Sequence, residues 1–357
     1  MINVLVVDDS AVVRSMLCQL LNDDGRFFVA GTADNGAKAV EKNNELSPDL
    51  IVLDLNMPIM GGIEAAEKIM QKSFPAIVAF TTEHSKEIFY RSLEVGIVEV
   101  VEKPDLATMS KNALDTLCQK FFLIAESQKK RKFALRQRKL KTEIFAEEKS
   151  EEEISDSLLQ KKYSVLAVGA STGGPVAIQK ILSGLSKNVR VPILITQHID
   201  PQFDSQFARW LSDSTGKKVE LARHGEILKN ETVYVAPSGS HLCLARKSKS
   251  EVSVVLDKGE PVCFFKPAVD KMFFSCAEIF ARECIALILT GMGRDGAQGC
   301  RRIKDSGGLV VAEAEETCAV FGMPKAAVDA GGVTCVKPIQ KIPQYINSIF
   351  GGEEFCP

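Results

Sequence analysis

The chain has 357 residues, 45% of them hydrophobic and 25% charged, with a formal charge of −2. At about 100–200 residues per domain that length suggests two or three domains of ordinary globular composition. A charge this close to zero offers no global attraction to nucleic acid or to an anionic membrane. Ten cysteines are scattered without a Cys-x-x-Cys pair, which suits free thiols in a reducing cytosol better than a disulfide scaffold or a zinc ribbon. The longest apolar runs, about six residues, fall far short of the roughly 20 that a spanning helix needs. Met1 leads straight into a strand-like run with no basic n-region. The expectation is a cytoplasmic protein with neither secretory signal nor membrane insertion.

Over residues 1–122, β-branched runs at 4–7, 50–53, 77–80 and 97–101 alternate with helix-like stretches. Such runs indicate strands buried on both faces, as in a parallel sheet covered by helices. The pattern returns over 163–357, with runs at 165–168, 192–196, 233–236, 286–290 and 309–312. The predicted fold class is therefore α/β: two doubly wound parallel-sheet domains, the second Rossmann-like. The stretch between them, 123–162, is different in character. Residues 129–141 carry eight basic residues and no acid, and 143–156 carry seven acids and one lysine. With no glycine or proline it can form a charged helix, and it reads as a solvated linker whose charge blocks neutralise each other.

In the first domain, Asp8 and Asp9 end the first run and Asp54 ends the second. Ligands of doubly wound sheets bind beyond the carboxyl ends of the strands, so the three carboxylates should converge there. Hard oxygen ligands around an open pocket suit Mg²⁺. Thr81 and Lys103 end later strands at the same edge, where a hydroxyl and an ammonium can contact a phosphoryl group on Asp54. One acid at a strand end is ordinarily a helix cap; five matched residue types at strand ends are not.

These residues resemble the receiver domain of response regulators. Val6-Val7-Asp8-Asp9-Ser10, Asp54 within Leu53-Asp54-Leu55-Asn56-Met57-Pro58, Thr81 and Lys103-Pro104 carry the likeness over 1–122. It implies a flavodoxin-like domain in which Asp54 takes a phosphoryl group from a histidine kinase, with Mg²⁺ held by Asp8, Asp9 and Asp54. Two departures stand out: Met60-Gly61-Gly62 replaces the usual Met-Asp-Gly, and Val100 stands where an aromatic switch residue is common.

In the second domain the run at 165–168 leads into Gly169-Ala170-Ser171-Thr172-Gly173-Gly174-Pro175 and then a helix-like stretch. Small neighbours allow a sharp strand-to-helix turn that lifts the Ser171 hydroxyl clear of the sheet. Pro175 fits a first helical turn, and the helix N-terminus favours developing negative charge. Gly-rich turns also cradle phosphates, so this motif alone leaves nucleotide binding and a nucleophilic serine both open.

A serine needs a base. Three of the chain's four histidines lie in this domain: His198, His224 and His241. His198 stands just beyond the run 192–196, at the edge where Ser171 sits; His224 follows a polar stretch, and His241 comes five residues after the run 233–236. The base needs a carboxylate to hold its tautomer. Asp295, in Thr290-Gly291-Met292-Gly293-Arg294-Asp295-Gly296, lies in a glycine-rich loop at another strand end, whereas Asp200 and Asp270 follow no buried run directly. Glycines there let backbone N–H groups point into a site.

Ser, His and Asp in that chain order match none of the α/β-hydrolase, chymotrypsin or subtilisin orders. They do resemble the catalytic domain of the CheB family of chemotaxis protein-glutamate methylesterases. Gly169 to Pro175, Gln197-His198, Val235 to His241, Lys266 to Asp270, Thr290 to Gly296 and Cys318 to Pro324 carry the likeness over about 163–340. The resemblance implies Ser171 as nucleophile, His198 as base, Asp295 as orienting acid, Met292 N–H as oxyanion donor and Thr172 as a supporting residue. It implies methylated chemoreceptor cytoplasmic domains as substrate, a CheA-type kinase as phosphodonor, deamidation of receptor glutamines as a side activity, and no cofactor for the esterase step. A receiver-gated binding protein without catalysis is the other reading. A DNA-binding output is disfavoured, since its one support is the basic block 129–141.

Overall fold

The computed structural model describes residues 1–82, 86–104, 106, 108–142, 161–199 and 203–351. The acidic half of the linker and Asp200 lie outside the described residues. Contacts divide the chain into two units, Met1–Leu140 and Lys141–Pro357. No helix among the described residues is long and apolar enough to cross a membrane.

In the first unit, strands β1 (Ile2–Val7), β2 (Phe27–Ala33), β3 (Leu50–Leu53), β4 (Ala76–Thr81) and β5 (Glu99–Glu102) form one parallel sheet in the order β2-β1-β3-β4-β5. Helices α1 (Ala11–Asp23), α2 (Gly36–Leu46), α3 (Gly62–Met70), α4 (Lys86–Glu94) and α5 (Lys111–Thr142) alternate with the strands. This is the flavodoxin-like order, whose switch point lies between β1 and β3. Val4 to Val7 and Leu50 to Leu53 are buried throughout, as their unbroken apolar runs require. Ser10 and Asn35 start α1 and α2 by accepting the N–H groups of Val13 and Lys38. The edge strand β2 is absent from the sequence reading, although Phe27 to Ala30 is an apolar run; its residues are mostly half-buried. Helix α5 runs past residue 122 without a break, since no glycine or proline stops it.

In the second unit, β6 (Val165–Ala170), β7 (Ile193–Gln197), β8 (Lys218–Leu221), β9 (Thr232–Val235), β12 (Cys284–Ile288), β13 (Leu309–Glu313) and β14 (Cys335–Lys337) form a parallel sheet. Its order is β14-β13-β12-β6-β7-β9-β8, and β10 (His241–Arg246) and β11 (Val252–Asp257) make a separate antiparallel hairpin. Helices α6 (Gly174–Gly184), α7 (Asp204–Thr215), α8 (Val269–Phe280), α9 (Ala297–Asp305), α10 (Met323–Asp329) and α11 (Ile342–Gly351) complete it. Strand β6 lies between β12 and β7, so the strand order reverses at its end and opens a crevice there. Val165, Leu166 and Val168 of β6 are buried, each stabilising the fold by about 1.5–3 kcal/mol. The polar edge strand β8 and the hairpin were not legible as strands.

Candidate active site

The parallel register fixes which side chains meet. Ala170 of β6 pairs with Gln197 of β7, so the next residues, Ser171 and His198, leave neighbouring strands at the same level. The His198 N–H donates to Ala170 O at 3.1 Å, and Ser171 N–H donates to Thr290 O at 3.0 Å. Ser171 thus stands at the switch point, flanked by the loops that follow β7 and β12. Gly173 supports the turn with φ 76°, a conformation suited to glycine. A Cβ at Gly291 would sit 2.7 Å from Ser171 Cβ, so only glycine lets the β12 loop come this close to the serine.

His198 Nε2 lies 2.8 Å from Asp295 Oδ2, and Asp295 is fully buried. The carboxylate also accepts Val269 N–H at 2.7 Å and Asp270 N–H at 2.9 Å, both from the first turn of α8. Two N–H donors at a helix N-terminus supply the hydrogen bonds that a buried charge needs. With Nε2–H directed to Asp295, His198 Nδ1 carries the lone pair; it is buried and has no partner among the described residues. The imidazole is stacked on Phe265, with centroids 3.8 Å apart and planes 4° apart.

The other candidates have different work. His241 is buried, with Nδ1 accepting Ala268 N–H at 3.1 Å and Nε2 donating to Glu260 O at 3.0 Å, so neither nitrogen is free. His224 Nδ1 accepts Leu256 N–H at 3.2 Å on the surface. Asp270 caps α9 through Gly299 N–H at 2.7 Å; burial pushes its carboxyl up to about 6, helped by the neighbouring Asp295.

Three residues hold the site together in ways that sequence reading missed. The Gln197 amide donates both to Ser171 O (2.9 Å) and to His198 O (2.8 Å), clamping the two turns. Thr290 Oγ1 donates to Thr172 O at 2.9 Å and accepts Val320 N–H at 3.0 Å, joining the turn after β6 to the loop before α10. Glu313 accepts Thr290 N–H at 2.8 Å, and burial pushes its carboxyl above the usual range. Gln197 and Thr290 stand in motifs quoted from the sequence, but none of the three roles has a local signal, because each acts through a contact 23 to 118 residues away. The N–H groups of Thr172, which follows Ser171, and of Met292, which follows Gly291, take no partner among the described residues.

In the first unit, Asp8, Asp9 and Asp54 each offer an oxygen, all within 4.8 Å of one another; Asp8 and Asp54 are buried and Asp9 is exposed. Lys103 Nζ lies 2.7 Å from Asp8 and 2.5 Å from Asp54. Burial pushes the Asp8 carboxyl up despite Lys103; burial also works against the Lys103 charge, but the two carboxylates outweigh it and raise that ammonium above its usual value. Thr81 is buried at the end of β4, and its carbonyl accepts Lys103 N–H at 2.8 Å. The donor set of hard oxygens with one exposed member fits Mg²⁺, which keeps several waters. A Cβ at Gly62 would come 2.1 Å from Asp54 O, so the turn after β3 needs glycine there. Val100 is half-buried against the core of the sheet.

A family model described as CheB methylesterase matches residues 166–346, and one described as response regulator receiver domain matches residues 4–113. A protein-glutamate methylesterase/protein-glutamine glutaminase of Archaeoglobus fulgidus is 38% identical over 347 residues, 96% of each chain. The chain belongs to the CheB methylesterase family. A relative of the same name from Clostridium acetobutylicum is 35% identical and covers 98% of each chain. The crystal structure of the Thermotoga maritima CheB methylesterase catalytic domain is 39% identical with a TM-score of 0.50, covering 53% of this chain and 98% of that one. The CheB motifs read from the sequence gather at one sheet edge: two flank Ser171 at the ends of β6 and β12, and Cys318 to Pro324 packs on Gly291 through Gly291 N–H to Val320 O at 3.0 Å.

Proposed function

We propose that this chain hydrolyses γ-methyl esters of glutamyl residues on chemoreceptor cytoplasmic domains, and that phosphorylation of Asp54 controls the rate. The observation that carries the chemistry is the imidazole of His198, held at Nε2 by buried Asp295 and left with an unpartnered Nδ1, on a residue that leaves β7 at the level where Ser171 leaves β6. In this reading Nδ1 takes the Ser171 proton as Oγ attacks the ester carbonyl. Asp295 stabilises the imidazolium, and the free N–H groups of Met292 and Thr172 stabilise the oxyanion. The C–OCH₃ bond breaks and methanol leaves with the proton from Nδ1. Water then loses a proton to Nδ1, attacks the glutamyl-enzyme, and releases glutamate and free Ser171. An amide in place of the ester gives ammonia, the deamidase activity that the relatives' names also carry.

In the receiver, Asp54 accepts the phosphoryl group of a histidine kinase, and Lys103 and Thr81 hydrogen-bond its oxygens. Asp8, Asp9 and Asp54 would hold Mg²⁺, which supplies charge neutralisation at the phosphoryl oxygens. The deciding experiment is methanol release from methylated receptor membranes by wild type and Ser171→Ala, with and without Mg²⁺ and acetyl phosphate. The expected result is release by wild type, faster with phosphodonor, and loss of several orders of magnitude in Ser171→Ala. Equal release by both proteins would overturn the nucleophile assignment, and no response to phosphodonor would overturn the regulation.

A further inference from the structure

We propose that Phe264 is a docking residue for the protein substrate, seating an apolar side chain of the methylated segment beside the reacting ester. Phe264 is 100% exposed, the most exposed large apolar side chain among the described residues. It sits at the tip of a tight turn closed by Val262 and Phe265, which bridge in antiparallel fashion with hydrogen bonds of 3.0 and 2.9 Å. Both central residues are left-handed, Cys263 at φ 51° and Phe264 at φ 71°. Turns of this kind ordinarily carry Asn-Gly or Asp-Gly, because other side chains are strained there. A fully solvated aromatic in a strained position does nothing for the fold, and strain of this sort concentrates at functional sites.

The turn's place in the molecule identifies its partner. Phe265 is stacked on the His198 imidazole at 3.8 Å, and consecutive Cα atoms are about 3.8 Å apart. The Phe264 ring therefore projects from the lip of the catalytic crevice, its neighbour anchored on the base. Lys258, Glu260, Pro261 and Cys263, close to it in the chain, are exposed as well. Aromatic side chains are enriched where protein partners dock, and this one faces solvent next to the residue that stacks on the base. If the ester-bearing segment is helical, an apolar side chain one or two turns from the ester lies about 5–11 Å along it. A small ester has no atoms at that distance.

The assignment rests on the methylesterase reading and is tested with the full chain on two substrates, a methylated chemoreceptor cytoplasmic fragment and N-acetylglutamate γ-methyl ester. Phe264→Asn keeps a side chain that tolerates the left-handed region. It should preserve the melting temperature and the small-ester rate while raising KM for the fragment at least about fivefold. Phe264→Leu should stay within about twofold of wild type on both. Unchanged KM for the fragment in Phe264→Asn, or equal losses on both substrates, would overturn the docking role while leaving the esterase reading intact. Wild type that releases methanol from neither substrate would overturn both.

Discussion

The imidazole of His198 lies flat on the ring of Phe265, 3.8 Å between centroids and 4° between planes, while Asp295 holds its Nε2 at 2.8 Å. One partner fixes the ring within its plane and the other fixes the plane itself. Together they leave the imidazole little freedom beyond the orientation that keeps Nδ1 clear.

Replacing the stacking partner should therefore slow chemistry more than it weakens binding. Phe265→Leu keeps apolar contact but loses the flat face, which is worth about 0.5–1.5 kcal/mol. We expect kcat to fall by up to about tenfold with KM nearly unchanged, read from steady-state methanol release. An unchanged kcat would mean that Asp295 alone orients the ring.

Asp295 accepts three donors, two from the α8 backbone and one from His198. A carboxamide has one oxygen and sets an N–H₂ group against the remaining donors. Asp295→Asn should cost about 1–3 kcal/mol of stability for the stranded donor and lower kcat by about 10³-fold or more through loss of the tautomer. Thermal denaturation and methanol release, measured on the same preparation, separate the two effects.

Asp270 gives a pH signature. Its carboxyl titrates at about 6 in the folded protein, raised chiefly by burial, against about 3.9 in an unfolded chain. The folded state binds the extra proton between those values, so this contribution to stability is full below about pH 4 and is lost as pH rises through 6. The difference in melting temperature between wild type and Asp270→Asn should therefore change across pH 4–7, with wild type losing ground as pH rises. Parallel curves would show that Asp270 does not titrate in this range.

The receiver can be tested by its own switch. Asp54→Asn and chelation of Mg²⁺ should each abolish stimulation by acetyl phosphate while leaving basal methanol release in place. Removal of the receiver should raise basal release, and the cut belongs after residue 142 rather than 122, because α5 is continuous to Thr142. A truncated chain no faster than the unphosphorylated full chain would show that the receiver does not restrain catalysis.

The sequence by itself determined the two α/β units, the strand-end positions of Asp8, Asp54, Ser171 and His198, and the likeness to a receiver joined to a CheB catalytic domain. Those features are local: an unbroken apolar run marks a buried strand, and the residue after it marks the sheet edge. Only the tertiary structure decided that His198, not His241, has a ring nitrogen to spare, since both nitrogens of His241 are taken by backbone groups from 19 and 27 residues away. It alone showed what Asp295 and Asp270, both buried, hold: each carboxylate meets a different helix N-terminus. The same holds for Phe265 under the imidazole and for Gln197 and Thr290 clamping the turns. Packing across a sheet edge joins residues far apart in the chain, and no spacing along the chain encodes which of them will touch.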